Sequence, residues 1–246
     1  MKADPQSQRL LLELQALDTS LAQIAHKQRT LPEHAELQRL DKEVTALEDE
    51  RVRAQVAVDD LDRDIARVDK DVEQVRQRAD RDRVRLDAGT GPAKELEALQ
   101  HELATLARRQ GELEDSELAL MEQREAAQSI VDGVAGRLST ATDAQATIGE
   151  RRDAIVRELT AETAAKTQAR EPLVARLPAD LVALYDKVRE SAGGVGAALL
   201  RRGRCEGCRL DLSAGDKARV RAADPDEVVR CEECRRILVR TEESGL

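Results

Sequence analysis

Across residues 37–86 the apolar side chains recur at alternating steps of three and four. The line runs through Leu37, Leu40, Val44, Leu47, Ala54, Val58, Leu61, Ile65, Val68, Val72, Val75, Ala79 and Leu86, with only Arg51 and Asp82 charged on it. That spacing is the a/d seam of a coiled coil. At a rise of ~1.5 Å per residue, residues 33–86 would form a rod of roughly 80 Å, which no compact globule needs. Composition agrees. The chain has 246 residues, 36% of them charged, with one tyrosine and no Phe or Trp. Globular cores normally draw on aromatic rings. Leu, Val, Ile and Ala mixed with abundant Glu, Arg, Asp and Gln is the composition of long helices.

Two further seams flank this one. The first passes through Leu10, Leu14, Leu17, Leu21, Ile24 and Leu31 and breaks at Pro32, where a kink is expected because proline suits only a helix's first turn. The other runs from Leu96 to Leu159 and is interrupted by Gly111, Gly133, Gly136 and Gly149, which mark either close approach of the arms or flexibility. Between the long seams lies Asp87-Ala88-Gly89-Thr90-Gly91-Pro92, a strong stop signal. A turn there sets residue i against roughly residue 180 − i, so that Pro32 faces Ile148 and Gly149, and Leu10 faces Arg170. Matched arms favour an antiparallel hairpin over residues 1–171, with its tip near 87–93 and a kink near 32; a parallel homodimer is the alternative, and association of hairpins is left open. Glu171-Pro172 is expected to end the returning helix.

Residues 172–246 have a different character. Leu181, Leu184, Tyr185 and Val188 share one face of a short helix ended by Gly193-Gly194. Then come all four cysteines, as C-x-x-C pairs at Cys205/Cys208 and Cys231/Cys234. A two-residue gap lets both sulfurs of a pair reach one ion, and two pairs give the tetrahedral thiolate set that zinc accepts. The expectation is one structural Zn2+ per chain, with every position filled by protein. Disulfides would require an oxidising compartment, and Met1–Gln15 carries no secretory signal, so the cytoplasm is the expected location. An iron–sulfur cluster also takes four cysteines and stays open at this point. Apolar, β-branched flanks around each pair predict short strands, and Ser213 with Asp216 predicts a capped helix between the pairs. The fold class is therefore mainly α: a long antiparallel coiled-coil hairpin followed by a small zinc-ribbon β domain.

Two surfaces are candidates for binding. Arg201, Arg202 and Arg204 lead into the first knuckle, and Arg235, Arg236 and Arg240 leave the second. Brought together, they could fork phosphate oxygens of RNA or DNA, although no aromatic ring is at hand to stack a base. Alternatively they pair with Glu206, Glu232 and Glu233. The balance between 201 and 240 is eleven Lys or Arg against eight Asp or Glu, so only local clustering could attract an anion. At the hairpin tip, Lys94, Glu95, Gln100, His101 and Glu102 are placed to meet a protein partner. His26, His34 and His101 read as solvated helix residues. No phosphate-cradling loop, nucleophile elbow or H-E-x-x-H occurs, and no run of about 18 apolar residues suggests a membrane span.

The tip region (residues 85–103), LPADLVALYDKVRE, GGVGAALL, CEGCRLDL and VVRCEECRRILVR together resemble the bacterial C4-type zinc-ribbon proteins with a coiled-coil hairpin, a family of unknown function. The resemblance spans essentially the whole chain. Arg235 departs from it, since many zinc knuckles have Gly after the second cysteine. Members include a flagellar chaperone-like regulator and a protein linked to type III secretion. Those roles imply protein binding together with nucleic-acid binding by the ribbon. The expected function is a non-enzymatic zinc-binding adaptor; the alternative is a protein-only chaperone or assembly factor.

Overall fold

The computed structural model describes residues 1–245. The order of elements is α1 (Pro5–Arg29), α2 (Pro32–Asp87), α3 (Ala93–Ala175), α4 (Ala179–Ser191), β1 (Ala197–Arg201), β2 (Arg204–Cys205), α5 (Ala214–Ala222), β3 (Val229–Arg230) and β4 (Ile237–Val239), then a 3-10 turn at Glu242–Ser244. The breaks follow the sequence. Thr30 closes α1 by donating its N–H to the carbonyls of His26 and Lys27. Pro32 opens α2, where its missing N–H costs nothing. Gly89, at φ 59°, turns the chain after α2.

Two compact units result, Ala35–Gly149 and the pair Met1–His34 with Glu150–Leu246. In the first, α2 and α3 run antiparallel within one chain. Leu47 packs with Val134 and Ala141, and Val68 and Val72 pack with Leu113. Arg137–Glu50 (2.5 Å), Arg124–Asp62 (3.0 Å), Arg76–Glu114 (2.6 Å) and Arg78–Glu102 cross between the helices. Next to the turn, Arg78 meets Glu102 as the 180 − i rule expects, but Arg76 already reaches Glu114, about ten positions beyond its expected partner. Farther out, Glu50 and Asp62 meet residues about one heptad beyond the expected ones, an offset that keeps the same seam residues inward. An added Cβ at Gly111, Gly133, Gly136 or Gly149 would meet nothing within 4 Å, so these glycines do not serve close approach.

In the second unit Arg170 faces Asp18 rather than Leu10, and Arg151 faces Glu33. Part of this shift comes from Thr30 and Leu31, which lie outside the helices and cover more length per residue than helical ones. The helix does not stop at Glu171-Pro172 either. Proline removes one N–H but its φ suits a helix, and α3 continues to Ala175.

The ribbon sheet has the order β2-β1-β4-β3, with β1 parallel to β4 and the other pairs antiparallel. Its inner face does not close on itself. Leu10, Leu11 and Leu14 of α1 pack with Leu177, Leu181 and Tyr185, and with Ala197, Ile237 and Val239 of the sheet. Burying each leucine contributes about 1.5–3 kcal/mol. Residues 172–246 alone would leave Tyr185 and Ile237 without that cover. Met1–Ala3 adds to the sheet margin: Ala3 donates its N–H to the Asp226 carbonyl (2.7 Å), and Val228 donates to the Met1 carbonyl (3.1 Å).

Candidate metal centre and the arginines around it

The two knuckles are built alike. In the first, the Cys205 N–H donates to the Leu210 carbonyl (3.0 Å) and the Arg209 N–H to the Cys205 carbonyl (2.7 Å). In the second, Cys231 donates to Arg236 (2.9 Å) and Arg235 to Cys231 (2.9 Å). Each turn needs a left-handed residue after its second cysteine, and arginine occupies that place both times, at φ 63° (Arg209) and 61° (Arg235). Sequence reading noticed Arg235 and missed Arg209. Gly207 is required for room rather than for its φ. A Cβ there would lie 2.7 Å from Arg236 Cδ and 2.9 Å from Ala198 Cβ.

This repeat brings the four sulfurs within 4.8 Å of one another. Cys205 Sγ lies 3.8 Å from Cys234 Sγ, and Cys208 Sγ 3.9 Å from Cys231 Sγ. Zinc–sulfur bonds of about 2.3 Å in a tetrahedron set their sulfurs ~3.8 Å apart, whereas a disulfide needs ~2.05 Å. All four cysteines are unbridged. Burial pushes the Cys205 and Cys231 thiols above their ordinary range. Burial acts on Cys234 too, but the Arg236 N–H outweighs it together with neighbouring donors, and this thiol falls below its ordinary value. A buried thiol set of this kind ionises when a cation sits among its sulfurs. Leu200, Leu212, Val220 and Leu238 wall the cluster from water. The donor set and spacing fit one structural Zn2+, with no coordination position left over.

The predicted arginine patch is only partly assembled. Arg236 turns inward, donating to the carbonyls of Val195 (3.1 Å), Gly207 (3.1 Å) and Ala192 (2.7 Å), which ties the end of α4 to the first knuckle. Arg240 is likewise engaged, on the carbonyls of Val220, Ala223, Asp224, Pro225 and Glu227. Arg201 pairs with Glu243 (2.9 Å) and Arg235 with Glu232 (3.3 Å). Arg202 forms the two-residue turn of the β1–β2 hairpin together with Gly203, and Arg204 follows at the start of β2; both are exposed and have no acidic side-chain partner among the described residues. The Lys217 chain lies over that turn, where a Cβ on Gly203 would come within 2.6 Å of it. At the hairpin tip, Lys94, Glu95, Gln100 and His101 are all exposed, and Glu102 pairs with Arg78.

Sequence reading missed a polar network beneath the ribbon. Asp18, 4% exposed, accepts from the Tyr185 hydroxyl (2.8 Å), Arg170 Nε (2.8 Å) and Arg189 (2.8 Å). The Gln15 side-chain oxygen Oε1 accepts from the N–H groups of Gly196 (2.6 Å) and Ala197 (3.3 Å). Burial, and then the bond to Asp18, raise the Tyr185 phenol far above its usual range. One sign was readable: the run Leu10-Leu11-Leu12 is wider than a coiled-coil seam needs.

A helical hairpin joined to a four-cysteine ribbon defines a coiled-coil zinc-ribbon protein. Residues 14–193 match the CT398-like coiled coil hairpin domain, and residues 204–238 match the C4-type zinc ribbon domain. The chain belongs to the CT398-like coiled-coil hairpin family. It is 38% identical over 242 residues to the uncharacterized protein Rv2229c of Mycobacterium tuberculosis, covering 98% of each chain. A solved structure from Mycobacterium smegmatis aligns with a TM-score of 0.85 at 37% identity, over 98% of this chain and 100% of that one. CT398 from Chlamydia trachomatis shares the fold, with a TM-score of 0.66 at 18% identity over 95% and 97% of the two chains. No helix among the described residues is long and apolar enough to cross a membrane.

Proposed function

We propose that the chain is a non-enzymatic adaptor whose hairpin tip meets a protein partner while its zinc ribbon contacts nucleic acid. The observation that carries this reading is Arg202 and Arg204 at the β1–β2 turn, without an acidic side-chain partner among the described residues, with Lys217 beside them and a closed thiolate centre next to the turn. A zinc site saturated by protein gives rigidity and no open position for a substrate. Contacts from two guanidiniums and an ammonium would be to phosphates, weakly selective for sequence and sensitive to salt.

The test uses the full zinc-loaded chain with single- and double-stranded RNA and DNA. Binding should weaken steeply as salt rises, and Arg202→Ala with Arg204→Ala should remove most of it. A second reading, a protein-only chaperone or assembly factor, gains from Arg201, Arg235 and Arg236 being engaged within the fold and from the lack of an exposed ring for stacking. No binding at low salt would leave that reading standing.

A further inference from the structure

Apart from the sulfur cluster, the ribbon-bearing unit contains a cleft of about 620 Å³ where the start of α1, the end of α5 and the Thr241–Gly245 segment converge. That volume lies within the usual range for ligand sites, ~300–1,000 Å³. Pro5, Val220, Ala223 and Pro225 supply an apolar lining. Arg9 and Arg221 line it from two different helices; both are exposed, and neither has an acidic side-chain partner among the described residues. Their backbones are fixed, because Leu10 and Val220, the neighbours of these arginines in sequence, are buried in the core.

Arg240 adds a third feature. The carbonyls at the end of a helix carry partial negative charge and would repel an anion. Here Arg240, which also lines the cleft, holds the Val220 and Ala223 carbonyls and cancels that end. Glu242 is the one carboxylate among the lining residues. A concave apolar surface flanked by two guanidiniums without an acidic side-chain partner among the described residues is thus left.

We infer that this cleft docks an acidic segment of a protein partner, with an apolar side chain against Pro5 and Pro225 and carboxylates forked by Arg9 and Arg221. A nucleic-acid strand suits it less well. Its bases would find no ring to stack on, since the chain's single tyrosine is fully buried. The site draws on different arginines from the β1–β2 turn, so this inference and the nucleic-acid reading can fail separately.

Fluorescence anisotropy on the full zinc-loaded chain tests it. The probes are a labelled peptide of repeating Glu-Leu-Asp, a Glu-Gly-Asp peptide of equal charge, and a single-stranded RNA. The Glu-Leu-Asp peptide should bind saturably and more tightly than its glycine counterpart. Arg9→Ala with Arg221→Ala should weaken it roughly tenfold or more, as expected for losing charge-assisted hydrogen bonds. Arg202→Ala with Arg204→Ala should leave it unchanged. Absence of saturable binding, equal loss in both double variants, or RNA displacing the peptide through Arg9 and Arg221 would overturn the inference.

Discussion

In the ribbon-bearing unit the Asp18 carboxylate, 4% exposed, meets a phenol and two guanidiniums; in the Ala35–Gly149 hairpin the Asp82 carboxylate, 8% exposed, leaves Oδ2 without any partner. The first charge is held by three segments of chain: α1 carries it, and α3 and α4 supply donors, while Gln15, one turn away on α1, binds the entry to β1. The second sits on a two-helix seam where only Arg85, itself largely exposed, approaches within 3.9 Å. Layered packing can surround a polar group on several sides, whereas a two-helix seam offers donors from one neighbour. Burying charge is costly without such partners. The ribbon-bearing unit should therefore be cooperative and brittle, and the Ala35–Gly149 hairpin tolerant of change along its length.

Removing the metal presses hardest on this contrast. Cys205→Ser, or a strong chelator, should cost the ribbon on the order of 10 kcal/mol, since structural zinc supplies folding energy directly. Elemental analysis should find one zinc per wild-type chain, and amide exchange should rise across 197–240 while residues 40–140 stay protected. Loss of protection in the hairpin as well would break the contrast. Asp18→Ala comes next. It leaves Arg170 and Arg189 only their longer contacts to Asp186 (3.5 and 3.8 Å) and the Tyr185 hydroxyl only Gln15 (3.2 Å), at about 3 kcal/mol for the charge-assisted bonds lost. Urea unfolding should show the ribbon-bearing unit alone shifting to lower denaturant. The smallest effect has the opposite sign. Asp82→Leu extends the leucine seam and removes the orphan oxygen, and should stabilise the hairpin by about 1–3 kcal/mol. A thermal melt that falls instead would show that Asp82 has a partner the fold requires.

Much of this architecture could be read from the sequence because it rests on local rules. Heptad spacing, Pro32, Gly89 and the cysteine pairs each determine their own neighbourhood: α2 opens at Pro32, Gly89 takes a positive φ after it, and the four sulfurs converge. What stayed hidden depends on contacts distant in sequence. Nothing near Asp18 announces Arg170 or Tyr185, and nothing near Arg236 announces Ala192. The arginine patch looked larger in the sequence because a guanidinium that fastens carbonyls and one that faces solvent are spelled alike. The need for glycine at 207 is hidden for a related reason: the space it leaves is filled by a side chain twenty-nine residues away.

The Met1–Ala3 strand lies against residues 226–228, and Lys2 reaches Asp224 and Asp226. During synthesis, then, residues 1–3 cannot find their place until residues 226–228 have emerged. The hairpin between them can zip up early from its own turn. Leu10, Leu11 and Leu14 meanwhile stay incompletely covered, a sticky patch on a nascent chain, until β1 and β4 close over them.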